Sequence, residues 1–428
     1  MKNLVLLPAA LLLAFFVSCD KSEDNETTNY EETVDGSADS FAVEPSVVAM
    51  PLELTKAQEG YIAADNTFAI NLLSKMDSLS ADEGYFFSPI SISTALSMLL
   101  NGTQGETARE IIDALGYGDN IDAVNDYWHQ ILSKSASWDT SVTLSIANAL
   151  VSNKNKVKQS YSYILESEYL AEVSSFDFSN PSPVLDYING WCNEKTHGMI
   201  PRILNQLSPS DVLCILNAMY FKGGWSIPFR EENTVDAKFT KDNGGIVDIR
   251  MMKKISELNY CSLDEMSLLE LPYGNGSFAF QVLLPEFGAS DRALAEIKKT
   301  GWNELFAGLT EDKVDVSIPK FKVEQSSPYD MCPIVNDLAM RRIFFPSSDF
   351  LPMTEEKGAV SSILHKTALT LDEEGSEASA VTAIIWATAV PGYVPSSSCK
   401  VFLADHPFYY AIVDKVNGLI LFMGKYNG

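Results

Sequence analysis

Histidine is scarce in this chain, with four among 428 residues, at 129, 197, 365 and 406. No HExxH, Cys-x-x-Cys or Cys-x-x-His spacing occurs, so no zinc site is expected. The six cysteines, at 19, 192, 214, 261, 332 and 399, are scattered and imply no disulfide framework. Cys214, inside the apolar run DVLCILNAMYF, reads as a buried thiol. A Walker loop, a GxGxxG turn and a GxSxG elbow are all missing, which argues against nucleotide enzymes and α/β-hydrolases. GNG at 274–276 reads as a turn. Basic charge is also short. There are 31 Lys and Arg against 57 Asp and Glu, a formal charge of −26. No cationic surplus exists to displace phosphate counterions, so nucleic acid is excluded as a partner. Each histidine is expected to be structural, the carboxylates to lie at the surface, and no cofactor or metal is called for.

Apolar residues are plentiful. They make up 46% of the chain, and aromatics 11%, enough for a large core. The first residues, MKNLVLLPAALLLAFFVSC, form a targeting segment rather than structure: one early Lys, an apolar run, then Ser-Cys. Cleavage before Cys19 would leave a thiol for lipid attachment. Asp20 to Glu44 holds nine acids and one Lys, too much charge to bury, and reads as a tether. The expected organisation is a lipoprotein signal peptide at 1–18, an acidic disordered tether at 19–56 and one mixed domain at 57–428.

Within that domain, NTFAINLLSKMDSL (66–79) has helical spacing. SPISISTALSMLLNGTQGETAREIIDAL (88–115) reads as two helices around Asn101-Gly102, the first with a Ser-Pro start. The segment 184–204 is expected to be helical to about Lys195, and 290–309 to be helical throughout. DVLCILNAMYFKGGW, FAFQVLLPEF and KVDVSIPKFKVE read as strands. The C-terminus reads as two apolar strands around the Asn417-Gly418 turn.

One segment fits none of these patterns. In this acidic chain no charged residue occurs from Ala378 to Cys399. Two prolines, several Ser and Thr and little Leu argue against a membrane span. A loop without a role is one reading. The other is a loop able to become a strand. Ser376, Ala378, Ala380 and Thr382 lie two apart on one face of an extended chain, with Glu377, Ser379, Val381 and Ala383 on the other. Small neutral side chains would let that strand enter a sheet, and Val381, Thr382, Ile384 and Ile385 favour the extended state.

At this point the residues match a known pattern. HKTALTLDEEGSEASAVTA resembles the hinge of the serpins, suicide inhibitors of serine proteases. FFSPISISTALSMLLNGTQGET is similar to that family's shutter helix, INGWCNEKTHGMI to its Asn-x-x-Thr-x-Gly-x-Ile element, and LNAMYFKGGWSIPFREENT to its strand and breach segment. FLADHPFYYAI and LILFMGKYN resemble its closing strands. The resemblance implies an α+β fold with three β-sheets, eight or nine helices and an exposed reactive-centre loop. It also implies that a protease cuts the loop, which then inserts as a strand into the central sheet and traps the acyl-enzyme.

Carried over position by position, the resemblance puts the hinge at Glu373, Gly375, Ser376, Glu377, Ala378, Ser379, Ala380, Val381 and Thr382. Ser88, Ser91, Asn217 and His365 match the shutter, and Trp225, Thr234 and Lys320 the breach, with Lys320 the ion-pair partner of Glu373. The family's spacing from Glu373 sets the scissile bond at Ala389–Val390, and PGYVPSSSC lengthens the loop beyond it, which allows shifts to Thr388, Val390 or Tyr393. A small aliphatic residue at the cut suits elastase-like pockets. The expected protein is thus a monomeric, lipid-anchored, surface-exposed outer-membrane serpin that is not an enzyme. Its partners would be elastase-like serine proteases, with the membrane reached only through Cys19. A non-inhibitory serpin, acting as a substrate or binding protein, and a hydrolase with an unrecognised site are the alternatives.

Overall fold

The computed structural model describes residues 51–80, 83–324, 327–376 and 399–428. Cys19, Glu377 to Thr382, Thr388, Ala389, Val390 and Tyr393 lie outside the described residues.

The first helix, Lys56–Leu79, begins ahead of the periodic stretch because Thr55 and Gln58 form a capping box. Thr55 Oγ1 accepts from the Gln58 amide at 3.4 Å, and the Thr55 amide donates to Gln58 Oε1 at 2.9 Å. The second helix, Pro89–Leu100, has Ser88 as N-cap and Pro89 in its first turn. A third helix, Gly105–Leu115, ends on Gly116 in the left-handed conformation, φ 75°. Pro181–Lys195 is helical and stops at the expected lysine. The expectation for 290–309 needs correction. Gly301, at φ +97°, breaks that segment into Ser290–Thr300 and Trp302–Phe306. Its φ lies where a side chain would be strained. In all, nine α-helices occur among the described residues.

The strands form one curled, mixed ladder of fourteen and a separate pair, Tyr329–Asp330 with Leu364–His365. Where three sheets were implied, the hydrogen bonds run on from one to the next. The strand Thr310–Glu324 causes this. Its residues 310–320 pair with Ile246–Leu263, and residues 321–324 with Ala368–Leu371. One end of the ladder is the aromatic core of Phe278–Pro285, Phe408–Asp414 and Leu419–Tyr426, where Phe86 stacks on Phe422 at 5.1 Å. The other end is Leu213–Gly224, paired antiparallel with Val142–Asn153, which in turn pairs in parallel with Glu172–Phe176. The helix Pro89–Leu100 is buried on nearly every side, beneath Leu213–Gly224 and against Leu419–Tyr426. This places Ser88 and Ser91 directly under the central sheet.

Candidate functional site

The site is built where the chain leaves Ala368–Leu371. Asp372 turns the backbone: its carboxylate accepts from the amides of Glu374 (3.0 Å) and Gly375 (3.2 Å), and its own amide donates to Gly375 O at 2.9 Å. The chain therefore doubles back, and Ser376 pairs antiparallel with Leu371 on one side and Gly223 on the other. Residues 375–376 are the first rung of a strand lying between Ala368–Leu371 and Leu213–Gly224. Gly375 is required here. A Cβ would collide with the carbonyl oxygen of Gly223 and lie 2.8 Å from the Gly224 Cα.

Side chains lock this turn. Lys320 Nζ donates to Glu373 Oε2 at 2.6 Å, and Thr234 Oγ1 donates to Glu373 Oε1 at 2.7 Å. Burial pushes the Glu373 pKa up, and these hydrogen bonds outweigh it and hold the carboxyl below its ordinary range. Trp225 donates twice, from its amide to Glu374 O at 2.8 Å and from its indole to Asp372 O at 2.9 Å. The Phe229 amide donates to Glu373 O at 2.9 Å. Trp225, Thr234 and Lys320 thus meet on the loop base. Tyr273 joins them. Its ring stacks on Trp225 at 4.6 Å, and its hydroxyl bonds the fully buried Ser376 Oγ. Sequence reasoning missed Tyr273 because LPYGNG reads as a strand end followed by a turn. Its only signal was an aromatic residue next to that turn.

Below the rung the sheet opens. Leu213–Ala218 on one side and residues 359–366 on the other line a cavity of about 690 Å³, floored by the helix Pro89–Leu100. Among the described residues, Leu213–Ala218 have ladder partners only on the Val142–Asn153 side. Ser91, Asn217 and His365 all face the cavity. Three shutter positions come together: the Ser88 amide donates to His365 Nε2 at 3.1 Å, and the Ser91 amide to Ser88 Oγ at 3.2 Å. Nε2 therefore carries no proton, and burial holds the His365 pKa down at about 4. Asn217 stands apart from them. Its Nδ2 donates to Asn148 Oδ1 at 2.7 Å, and its Oδ1 is buried with no partner among the described residues. Asn148, which sequence reasoning also missed, donates in turn to Tyr169 O at 2.9 Å. Cys192 and Cys214 line the same cavity, and burial pushes both thiols up to about 12.

A strand begun at the edge of an opened sheet is a particular arrangement, and the family profile described as Serpin (serine protease inhibitor) matches residues 63–428. The chain belongs to the serpin family. It is 31% identical to an uncharacterized serpin-like protein of Thermococcus kodakarensis, over 99% of this chain and 98% of that one. Among solved serpins it superposes on the thermophilic serpin Tengpin in the native state with a TM-score of 0.77. The identity is 26%, covering 89% of this chain and 97% of that one. The cleaved Serpin 42Da gives the same TM-score, 0.77, at 25% identity, covering 87% and 99%. The serpin fold is therefore established, and membership supports inhibition of serine proteases in general rather than catalysis.

Proposed function

We propose that this serpin is an irreversible inhibitor of elastase-like serine proteases, and that it works by inserting its cut loop into the slot described above. The observation that carries this reading is the rung at Gly375–Ser376, in register with Gly224–Gly223 and aimed down the cavity. Continued on insertion, that antiparallel register would pair Ala378 with Phe221, Ala380 with Met219, Thr382 with Asn217 and Trp386 with Leu213. Ser376 points inward onto Tyr273, so in an inserted strand alternation would point Ala378, Ala380 and Thr382 inward too. These are the small side chains. Thr382 would meet Asn217, whose buried Oδ1 has no partner among the described residues. Ten or so new backbone hydrogen bonds at ~1 kcal/mol each amount to on the order of 10 kcal/mol, comparable with the stability of a whole domain.

The bond cut is Ala389–Val390, with Thr388 and Tyr393 as neighbouring alternatives on the longer loop. The signal peptide 1–18, the lipid on Cys19 and the acidic tether 19–56 hold the domain at the outer surface of a bacterial cell. The acidic, neutral-looped composition supports a protein partner and offers nothing to nucleic acid.

The test is direct. Purified protein is mixed with a slight deficit of pancreatic elastase and run on a denaturing gel, and the released C-terminal peptide is weighed. A band at the summed masses, with a peptide starting at Val390, is the expected result. Clean cleavage without that band would refute the trap, and no cleavage would refute the choice of protease.

A further inference from the structure

Lys254 lies on the strand Ile246–Leu263, is 8% exposed, and has no carboxylate in ion-pair range among the described residues. Its Nζ donates to the Ile227 carbonyl at 2.7 Å and sits 4.3 Å from the centroid of the Phe229 ring. Both residues belong to the short turn Trp225–Phe229, which supplies three hydrogen bonds to the loop base, through the Trp225 amide, the Trp225 indole and the Phe229 amide. A buried amine that reaches across to this one turn is not needed for packing, since an apolar side chain such as Met would fill most of the space without the desolvation cost of a charge.

We infer that Lys254 is a positioning residue of the trap: its amine seats the turn Trp225–Phe229 on the loop base, and its proton decides how firmly. The effect on trapping rests on the strand-insertion reading; the grip itself does not, and can be measured without a protease. Other charged groups are placed so as to leave this control with Lys254. By strand alternation Lys253 and Asp315 point to the opposite face of the sheet. On its own face Arg250 pairs with Asp236, Lys320 with Glu373, and Lys400 lies 4.0 Å from Asp312. Arg230, Glu231 and Glu232, which follow Phe229, are exposed.

The direction follows from linkage. Burial lowers the Lys254 pKa to about 7. Lifting the turn would let water reach the amine and return it toward its ordinary 10.5. The lifted state then binds more protons, so acidification from pH 9 to pH 7 favours lifting and further acidification changes little. Full hydration on lifting would raise the lifted population about fiftyfold across that range.

The experiment follows hydrogen-exchange protection of the Trp225 and Phe229 amides from pH 6 to pH 9, corrected for the intrinsic exchange rate. Wild type should lose protection at least tenfold between pH 9 and pH 7 and then level. Lys254→Met, with neither the amine that holds the Ile227 carbonyl nor a proton to gain, should be flat across the range and less protected than wild type at pH 9. Lys254→Arg, charged throughout, should be flat and weakly protected. A Lys254→Met profile that falls as wild type does would overturn the inference. In wild type alone, an NMR titration of the Lys254 side chain with its midpoint above pH 9 would also overturn it, whether or not the variants fold. Covalent complex yield with elastase, measured on the same samples, reports separately on strand insertion. A protein that forms no complex yet shows the protection switch would retain the inference and lose the inhibitor reading.

Discussion

Replacing Thr382 by Arg is the sharpest probe of insertion. In the continued register this residue falls opposite Asn217, on the inward face occupied by Phe221 and Met219, both nearly buried. The guanidinium would enter a space whose floor is the apolar helix Pro89–Leu100. Burying a poorly paired charge there costs several kcal/mol. With about 2 kcal/mol of that felt at the insertion barrier, insertion slows about thirtyfold. Hydrolysis of the acyl-enzyme then wins the race. The expected outcome is a loop cut at the normal rate, little covalent complex, and a large excess of inhibitor needed to silence the protease. Glu377→Arg is the control. Residue 377 has the opposite parity and already carries a charge, so its variant should trap as wild type does. The assay is a titration of elastase activity alongside the denaturing gel. Full complex yield from Thr382→Arg, or equal loss from both variants, would refute the inward-face argument.

Gly375→Ala should cost stability and hinder the first rung, since the new Cβ meets Gly223 O; thermal unfolding and complex yield should both fall. Thr234→Val removes one of the two side-chain donors to the buried Glu373 carboxylate, and a loss of about 1–2 kcal/mol is expected in denaturant unfolding. His365 is held neutral with its pKa at about 4, below its ordinary 6.5, so the folded state binds fewer protons in that interval and stability is lost as pH falls from 6.5 to 4. His365→Gln should abolish that loss, up to about 3 kcal/mol, in unfolding measured across the interval. Asp65 acts in the opposite sense. Burial raises its pKa to about 6, so the folded state binds the extra proton and stability is lost as pH rises from 4 to 6; Asp65→Asn should flatten that part of the profile.

Much of this was legible in the chain. The helix start at Ser88 and the Asn417-Gly418 hairpin are local chemistry, written in consecutive residues, whereas the capping box at Thr55 was passed over for the periodic stretch that begins at Asn66. Gly375, Glu373 and Lys320 were legible because a hinge leaves its pattern in one short stretch and its partner in another. What was not legible depends on distant strands being brought together. Tyr273 reaches Ser376 across 103 residues, and Asn148 reaches Asn217 across 69. Nothing near either residue announces its partner. Lys254 is one of two adjacent lysines in MMKK, and only the closing of Trp225–Phe229 over it sets it apart. The break at Gly301 was visible as a glycine but outweighed by the helical spacing on either side.

The rung at Ser376 and Gly223 has one more consequence. Under insertion it sets the phase of everything that follows, as the first tooth of a zip does. Deleting a single residue between 377 and 388 would turn every later side chain to the wrong face, whereas deleting two would keep the faces and only shorten the travel. If the cut falls at Ala389–Val390 as proposed, no such constraint applies beyond it, because those residues do not enter the slot. On that reading the stretch from Val390 to Cys399 would be free to lengthen and change, while the stretch before it would be held to strict alternation.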